Sequence, residues 1–421
     1  MLLDGLVPPG RVKVKLEEAA GQVLAAAVTA PGPFPPFPRS LVDGYAVGPP
    51  GPATGTRVLR GSGTSTGSRE APARAVYRLL GAVPAGRKPD LTLAAGTAAA
   101  IFTGARPPAG TVAIVPREMA TEVDGYISLT GLPSRSYLEA AGAEVAAGEG
   151  VLAAGTPLGP AETGLLAALG IREVTVYRRP RVALAASGSE LLDPAAGEAG
   201  NAGRGPADAS RAGGPGAGTP WIYNSNFYAL AAAVGAAGGE VLPLGPLADD
   251  LEEQVRAYRA ALGEADLLLT TGGAGGGNYD LTAAAFARTG GKMLFTELNN
   301  RPARRVIAAR WDGKLMLGLP GNPPAALVAY YLLAAPVILA LGGKEPLPVA
   351  FPARLTRAID RRRPERAFIW ARAKSTAHGW QVMPLPRRPG GIRAAIGANA
   401  LIDLPPGTTP AAGAEVTVIM V

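Results

Sequence analysis

From Arg181 onward, the 421-residue chain alternates short apolar segments with segments that have the composition and length of helices. The predicted elements are, in order, strand Arg181–Ala186, helix Ser225–Ala237, strand Glu240–Pro243, helix Asp249–Leu262, strand Asp266–Thr270, helix Asp280–Arg288, strands around Met293 and at Leu315–Leu317, and a helix from Pro324. Such alternation is typical of a parallel sheet that is covered by helices on both faces. Ligands bind these sheets at the carboxyl ends of the strands, so the sequence predicts an α/β unit with its site at that edge.

Three loops of this unit follow predicted strands and are rich in glycine or proline: Ser187–Leu191, Thr270–Asp280 and Leu319–Pro324. Glycine-rich turns that lead into helices expose backbone N–H groups and the positive end of a helix dipole, which suits an anion. Two of the loops also carry a carboxylate, Glu190 and Asp280. Carboxylates beside an anion site often hold Mg²⁺ as the bridging charge. The alternative is that both side chains only cap helices.

The composition restricts the possible chemistry. The chain contains no cysteine, which excludes disulfides, thiolate nucleophiles and cysteine-ligated metal sites. His378 is the only histidine, and it lies in a predicted turn between strands. A conventional zinc site and a Ser-His-Asp triad are therefore not expected. Catalysis has to use carboxylates, hydroxyls, backbone amides, lysine or arginine.

The chain is basic, with a formal net charge of +8, and the charge is uneven. Between Phe351 and Arg393 there are eleven Lys and Arg residues against two acids, Asp360 and Glu365. A basic balance indicates either nucleic acid or a small anionic ligand. Aromatic residues make up only 5% of the chain, and nucleic-acid binding usually interleaves them with basic residues. A small anion is therefore the prediction, and no nucleic-acid partner is expected.

The N-terminal third shows a different pattern. Lys13–Ala27 has apolar residues on one helical face and charges on the other, which predicts an amphipathic helix. The proline-rich residues 31–38 predict an extended connector. Short apolar stretches from Leu41 to about Leu132 are separated by Gly and Pro turns and predict an irregular β domain. Gly164–Leu169 predicts a short helix that ends at Gly170.

The C-terminal part predicts a small β barrel. Pro346–Pro352 has the composition of a linker, and strands are predicted at Phe368–Lys374, Trp380–Pro384 and Glu415–Met420. Within the α/β unit, residues 195–220 consist largely of Gly, Ala and Pro. Such a segment buries too little apolar surface to offset its ordering entropy, so we expect a flexible and dispensable surface insertion.

One apolar run, Pro323–Gly343, carries no charge and is long enough to span a bilayer. Pro336 interrupts it, several of its residues are alanine, and no second run of this kind exists. A buried helix that closes an α/β layer explains it better than a membrane span. No signal peptide is visible, so we expect a cytoplasmic protein that does not engage a membrane.

Six segments, in order and spacing, resemble the motifs of the MoeA-type molybdopterin molybdenumtransferases, the family that includes the E domain of gephyrin. They are Ser40–Ala46 (S-x-M-D-G-Y-A), Phe102–Glu118 (T-G-A-x-x-P-x-G-x-D-A-V-V-x-x-E), Ser187–Leu191 (T-G-D-E-L), Ile222–Asn226 (D-S/T-N), Thr271–Asp280 (G-G-V-S-x-G-x-x-D) and Leu319–Pro323 (L-P-G-N-P). The last of these motifs is intact. The resemblance covers nearly the whole chain, with a weaker match at Arg366, Phe368 and residues 398–402.

This resemblance implies a multidomain α/β protein. The central domain would be a three-layer αβα domain like that of the MogA adenylyltransferases, joined to an irregular β domain, a small N-terminal linker domain and a C-terminal β barrel. The expected domain bounds are 1–30 with 135–179, then 31–134, 180–344 and 345–421. The family implies a homodimer that takes adenylylated molybdopterin and molybdate or tungstate, uses Mg²⁺, and yields molybdenum cofactor and AMP. A MogA-type adenylyltransferase is a possible partner.

The resemblance also assigns residues. Expected catalytic residues are Asp43, Thr103, Glu190 and Asp280. Expected metal ligands are Glu190, Asp249, Asp250 and Asp280, where Asp249 and Asp250 compete for one family position. Expected binding residues are Gly272, Gly273, Gly277, Arg301, Pro320, Gly321, Asn322 and Asn226. The family joins Asp43 and Thr103 of one subunit to the central domain of the other.

Several positions depart from the family pattern. Ser189 and Asn224 replace aspartates, Gly275 replaces a serine, and Glu297 stands where a lysine is usual. An exchange of lysine for glutamate in an anion site changes the charge by two units and weakens anion binding in a poorly solvated site. An alternative reading is therefore a weakened paralogue that binds molybdopterin, molybdate or tungstate without efficient turnover.

Overall fold

A computed structural model describes residues 1–51, 75–131, 133, 136–194, 221–272, 279–346, 348–360, 362–386 and 391–421. The chain forms two compact units. The first unit contains Met1–Ala26, Ala154–Gly159 and Glu173–Val421, and the second contains Ala27–Ala153 and Pro160–Arg172. The predicted insertion 195–220 lies outside the described residues.

The chain up to residue 177 consists mostly of short strands. They are β1 (Arg11–Lys15), β2 (Val28–Thr29), β3 (Arg39–Ser40), β4 (Gly44–Val47), β5 (Val76–Val83), β6 (Thr97–Ile101), β7 (Ala113–Pro116), β8 (Ala120–Val123), β9 (Tyr126–Leu129), β10 (Leu138–Glu139), β11 (Gly150–Leu152) and β12 (Glu173–Tyr177), with helix α1 (Pro160–Ala168) between β11 and β12. In the second unit, six of the strands form a sheet in the order β7-β4-β6-β5-β9-β8. The prediction of an irregular β domain is confirmed.

The predicted amphipathic helix at Lys13–Ala27 is wrong. The segment instead contributes to strand β1, which pairs antiparallel with β12, and continues as a short 3₁₀ turn at Leu16–Glu18. Val12 and Val14 alternate with charged residues, which is the two-residue period of a strand. The helical spacing of Ala19 and Val23 was misleading because both residues are buried without a helix between them.

The middle of the chain contains alternating strands and helices. They are β13 (Arg181–Ser187), β14 (Leu191–Leu192), β15 (Ile222–Tyr223), α2 (Ser225–Ala236), β16 (Glu240–Leu247), α3 (Leu251–Glu264), β17 (Leu267–Gly272), α4 (Tyr279–Thr289), β18 (Lys292–Phe295), β19 (Asn300–Arg301), β20 (Ile307–Trp311), β21 (Lys314–Leu319), α5 (Pro323–Ala329) and α6 (Ala335–Leu341). A sheet of order β16-β13-β17-β21-β20-β18 forms the centre, and its first four strands are parallel. Helices α2, α5 and α6 pack on one face and α3 and α4 on the other, which confirms the predicted three layers.

The apolar run from Pro323 is one continuous 19-residue helix, in which a π turn at Tyr330–Ala334 joins α5 to α6. By length and composition alone it could cross a membrane, and it is the one such helix among the described residues. It is 61% buried, and Tyr330, Val337 and Ile338 lie in the main hydrophobic cluster of the first unit. This is the burial of a core helix, as the sequence predicts.

The C-terminal part is a closed barrel of five strands. The strands are β22 (Ala350–Leu355), β23 (Arg366–Thr376), β24 (Gly379–Pro384), β25 (Ala400–Leu404) and β26 (Glu415–Met420). The order β23-β24-β22-β26-β25 closes by pairing of β25 with β23. His378 is exposed in the turn between β23 and β24, as predicted.

The predicted linker Pro346–Pro352 is partly wrong, because its last three residues belong to β22. Pro352 lies opposite Thr417 of β26, while β22 pairs with β24 only at Arg354 and Leu355. Proline cannot donate a backbone hydrogen bond. Pro352 is tolerated in β22 because β24 does not pair with the strand at this residue.

Candidate functional site

The carboxyl edge of the central sheet is shaped first by the ends of β13 and β17. The chain leaves β13 to form β16 on one side and then returns to form β17 on the other, and ligands of such sheets bind where the strand order reverses, here between β13 and β17. Ser187 lies opposite Gly272 in this pair. Gly272 has φ +116°, and a Cβ atom there would lie 2.0 Å from the Ser187 carbonyl oxygen. Only glycine permits this approach of the two strand ends.

Asn226 joins three loops at this edge. Its side-chain Nδ2 donates to Thr271 Oγ1 at 3.0 Å and to the Gly321 carbonyl oxygen at 2.8 Å. Asn226 lies in the first turn of α2, Thr271 at the end of β17, and Gly321 after β21. Both amide hydrogens are used within the protein, so a ligand can be bound only through Oδ1. The structure therefore shows Asn226, a predicted binding residue, connecting the end of β17 to the loop after β21.

Glu190 and Asp249 are two carboxylates of this edge whose side chains the structure describes. The Glu190 carboxylate folds back over Gly188, where a Cβ atom would lie 2.7 Å from Glu190 Oε2. Asp249 Oδ2 accepts hydrogen bonds from the backbone N–H and the hydroxyl of Ser189, both at 3.3 Å. Because Ser189 directly precedes Glu190, this contact brings the Asp249 loop to the Glu190 loop.

Asp250 has a different role from Asp249. Its Oδ1 accepts from the Glu253 N–H at 2.7 Å and caps α3. The capping alternative that we considered for Glu190 and Asp280 is therefore seen at Asp250. Of the two adjacent aspartates, Asp249 is the one whose side chain faces the Glu190 loop.

The remaining part of the predicted metal and glycine set is only partly described. No group of three His, Cys, Asp or Glu side chains in metal-binding proximity occurs among the described residues. Gly273 and Gly277 lie outside these residues, and Asp280 is placed only by its backbone in the first turn of α4.

The Leu319–Pro323 loop separates two regions of the first unit. Asn322 Oδ1 accepts from the Ala325 N–H at 3.4 Å and caps α5, while Pro323 occupies the first helical turn, where a missing N–H costs nothing. Pro320 and Gly321 lie on the sheet side, where Asn226 holds Gly321. Asn322 lines a cleft beside the barrel.

This cleft has a volume of about 620 Å³ and is largely apolar, with Phe368, Trp370 and Leu385 among its walls. Arg301 and Asn322 line it as well, and both were predicted binding residues. Pairing of β19 with β23 places Arg301 at the junction with the barrel. A mostly apolar cleft with a few convergent polar groups is the usual form of a small-molecule site.

Two further arginines of the cleft, Arg357 and Arg363, were not singled out from the sequence. The excess of basic residues between Phe351 and Arg393 was the signal that could have found them. Arg301 also contacts Glu365 at 3.3 Å. Desolvation raises the pKa of Glu365, but hydrogen bonds from its own backbone and Arg301, together with the Arg301 and Arg304 charges, lower it overall.

Glu297, the main charge departure, forms an ion pair with Arg304. Arg304 Nε lies 3.3 Å from Glu297 Oε2, and both side chains are about half exposed. The carboxylate is therefore compensated by a neighbouring arginine. An exposed pair of this kind contributes little to stability, at most about 1 kcal/mol.

The second unit holds the other predicted pair, Asp43 and Thr103. Asp43 Oδ1 accepts from the Thr103 N–H at 2.8 Å and from its hydroxyl at 2.9 Å. The Thr103 N–H, then its hydroxyl and the nearby Arg117 charge lower the pKa of Asp43, against a smaller opposing effect of desolvation. An exposed carboxylate that stays ionised results. Arg117 is a further charged residue of this site, and the family motif leaves its position unspecified.

A neighbouring contact keeps this loop in place. Tyr45, two residues after Asp43, is buried, and its hydroxyl donates to Glu122 Oε2 at 2.8 Å. Gly44 lies between them, and a Cβ atom there would meet the Val115 carbonyl oxygen at 2.1 Å. Asp43 therefore directly precedes a strand that is fixed by close packing at Gly44 and by the Tyr45 hydrogen bond.

Comparison with known proteins covers almost the whole chain. Residues 2–170 match the MoeA N-terminal region (domains I and II), residues 186–340 match a probable molybdopterin binding domain, and residues 352–421 match the MoeA C-terminal region (domain IV). Two crystal structures of the molybdopterin biosynthesis MoeA protein of Pyrococcus horikoshii match with TM-scores of 0.72 and 0.73. Their identities are 26% and 24%, over 98% and 100% of this chain and 95% and 97% of theirs.

Two proteins named molybdopterin molybdenumtransferases are similar over comparable lengths. Molybdopterin molybdenumtransferase 2 of Mycobacterium tuberculosis is 32% identical over 408 residues, which cover 94% of this chain and 91% of the relative. The molybdopterin molybdenumtransferase of Bacillus subtilis is 30% identical over 402 residues, covering 94% and 86%. With the three matched regions in order and the L-P-G-N-P loop at the sheet edge, the chain belongs to the molybdopterin molybdenumtransferase family of molybdenum cofactor biosynthesis.

Proposed function

We propose that this protein inserts molybdate, or tungstate in its place, into adenylylated molybdopterin and releases AMP, with Mg²⁺ as cofactor. One observation carries the proposal. The loop Leu319–Pro323 contacts the carboxylate-bearing sheet edge through Gly321 and lines the arginine-containing cleft through Asn322. A substrate with a nucleotide half and an organic anionic half needs two such adjoining environments.

The sheet edge suits Mg²⁺ by its donor chemistry. Glu190 and Asp249 supply hard carboxylate oxygens on loops that touch through Ser189. Mg²⁺ is usually bound by one or two carboxylates together with substrate phosphates, so a preformed cage of three protein ligands is not required. Asp280, at the start of α4, is the third carboxylate that we propose near the ion. The bound ion would neutralise phosphate charge and polarise the phosphorus–oxygen bond that breaks on AMP release.

The protein's own groups would orient the substrate. We propose that Gly272 at the end of β17, together with Gly273 and Gly277 in the glycine-rich sequence that follows, binds the phosphates. On the cleft side, Arg301 and the neighbouring arginines would hold the oxyanion or the phosphate of the pterin, and the apolar walls would exclude water from its ring. We propose that Pro320, directly after β21, contributes to binding from the sheet side of this loop.

The second unit would complete the site in a homodimer. We propose that ionised Asp43, held by Thr103, approaches the carboxyl edge of the other subunit, where it would accept a proton or orient the attacking oxygen. A MogA-type adenylyltransferase would supply the adenylylated substrate. We further propose that the protein acts in the cytoplasm, without nucleic acid or membrane as partner.

Ser189 favours a second candidate, the weakened paralogue. The Ser189 hydroxyl donates a hydrogen bond to Asp249. The family aspartate at this position would place a second carboxylate beside Asp249, and the repulsion between the two charges would favour a bound cation. Glu297 adds negative charge near Arg304, which the family lysine would not. Such a protein would bind molybdopterin and molybdate but turn over slowly.

The experiment is a direct turnover assay. Purified protein is incubated with adenylylated molybdopterin, molybdate and Mg²⁺, and AMP is quantified by chromatography. We expect AMP release that depends on both molybdate and Mg²⁺ and that is strongly reduced in Glu190→Gln. The exposed barrel variant Glu415→Gln, which also loses one carboxylate, should behave as wild type. Tight molybdopterin binding without AMP release would instead identify the paralogue, and neither binding nor release would refute both.

A further inference from the structure

A buried polar cluster lies beneath the carboxyl edge, inside an apolar part of the core. It consists of Tyr258 and Gln254 on α3 and Thr270 on β17, with exposures of 0%, 0% and 1%. The surrounding cluster is otherwise apolar and includes Val255, Leu268 and Phe286. Polar side chains at such positions need hydrogen-bond partners, and apolar side chains of similar size would satisfy the packing without them.

The hydrogen bonds of this cluster lead to the loops of the candidate site. The Tyr258 hydroxyl lies 3.2 Å from Thr270 Oγ1 and donates to Gln254 Oε1 at 3.4 Å. Gln254 Nε2 in turn donates to the Ala248 carbonyl oxygen at 3.0 Å, directly before Asp249. The cluster thus connects the end of β17 to the loop that carries Asp249.

The same cluster lies beside the end of β13. The Ser187 hydroxyl is buried without a hydrogen-bond partner among the described residues, and Ala185 of the same strand lies opposite Thr270. Burial raises the pKa of Tyr258, so the phenol stays protonated and remains a donor. Ser187 begins the loop that carries Glu190.

We propose that Tyr258 is a positioning residue that holds the end of β17 and the Asp249 loop in their mutual arrangement and, through the contact of Asp249 with Ser189, also the Glu190 loop. Its effect on turnover rests on the proposed function, whereas its effect on the loops does not. Because partially satisfied buried networks are costly, a purely structural role would favour phenylalanine at this position. The hydroxyl is explained if it joins the end of β17 to the Asp249 loop, which in turn contacts the Glu190 loop through Ser189.

The test compares two buried tyrosines. Tyr258→Phe removes the hydroxyl but keeps the ring, which packs edge to face on Phe286 at a centroid distance of 5.9 Å. The control Tyr330→Phe also removes one buried hydroxyl, which donates to the Ala233 carbonyl oxygen at 2.7 Å near the far end of α2. Hydrogen exchange followed by mass spectrometry should show faster exchange in peptides covering residues 187–191 and 248–250 for Tyr258→Phe and not for Tyr330→Phe.

A functional readout accompanies the exchange experiment. The Mg²⁺ concentration for half-maximal AMP release should rise on the order of tenfold in Tyr258→Phe and stay unchanged in Tyr330→Phe, because Tyr258 would orient the loops of the metal ligands without contacting the metal itself. Thr270→Val, which breaks the same network, should reproduce both effects if Tyr258→Phe folds poorly. Unchanged exchange in both loops, or equal changes in both tyrosine variants, would overturn the proposal. If wild type releases no AMP, the proposed function fails, while the exchange data still decide the positioning role.

Discussion

Asn226 provides the sharpest prediction because one side chain holds two loops. Asn226→Ala removes hydrogen bonds of 3.0 Å to Thr271 and 2.8 Å to Gly321. Each such bond contributes about 0.5–1.5 kcal/mol net, so the loss is about 2 kcal/mol in total. In a domain of this size that lowers the Tm by about 4–8 °C. The protein should remain folded.

Turnover should fall as well, although the protein remains folded. Without the tether, the loop after β21 can move away from the end of β17, and a displacement of about 1 Å at a reacting centre can lower the rate by about a hundredfold. We expect kcat for AMP release to fall between about ten- and a hundredfold. Calorimetry and the AMP assay on the same preparation measure the two effects separately.

Asn224→Ala is the matched control. Asn224 also lies at the start of α2, but its side chain accepts from the Phe227 N–H at 3.1 Å and caps the helix. Loss of this cap costs about 1 kcal/mol and leaves the tether intact. If Asn224→Ala reduces turnover as much as Asn226→Ala, or if Asn226→Ala retains full turnover, the tether argument is refuted.

Three further predictions concern charge. Glu190→Gln should raise the Mg²⁺ requirement for AMP release without lowering the Tm by more than a few degrees; a large loss of stability with an unchanged Mg²⁺ titration would mean that the carboxylate serves the fold. Thr103→Val removes one of the bonds that lower the pKa of Asp43, so that pKa should rise. Since activity that needs ionised Asp43 is lost as the pH falls through this pKa, the acidic limb of the kcat/KM profile should move to higher pH, and an unmoved limb would exclude Asp43 from it. Glu297→Lys breaks the pair with Arg304 and should lower turnover if the protein is a working enzyme; molybdate and AMP titrations at two ionic strengths would instead show a salt-sensitive gain in affinity if it is the weakened paralogue.

The sequence alone determined the architecture of the central domain. The alternation after Arg181 reflects strands that are buried on both faces and helices that cover them. Such strands are continuous apolar runs and such helices have apolar residues along one face, and both patterns are visible in a short stretch of sequence. Glycines that follow the predicted strands indicate the carboxyl edge from the sequence alone. Gly272 illustrates the reason: a close approach of two strands with φ +116° leaves only one residue type possible.

Long-range partners, in contrast, were decided only by the tertiary structure. Val12 and Val14 fit either a strand or the start of an amphipathic helix, and pairing with β12, more than 150 residues later, selects the strand. The composition around Pro352 predicts a linker. Only the barrel shows that Pro352 lies in β22, at a point where β26 pairs with the strand and β24 does not. Local patterns carry no information about such neighbours.

The same division applies to the candidate site. The sequence supplied Glu190, Asn226 and Asn322 as chemically suitable residues, but their side chains have several possible partners. The fold assigns Asn226 to Gly321 and leaves Asp249, not Asp250, facing the Glu190 loop. A side chain's role follows from which groups reach within about 3 Å of it, and that distance is set by packing between elements distant in sequence.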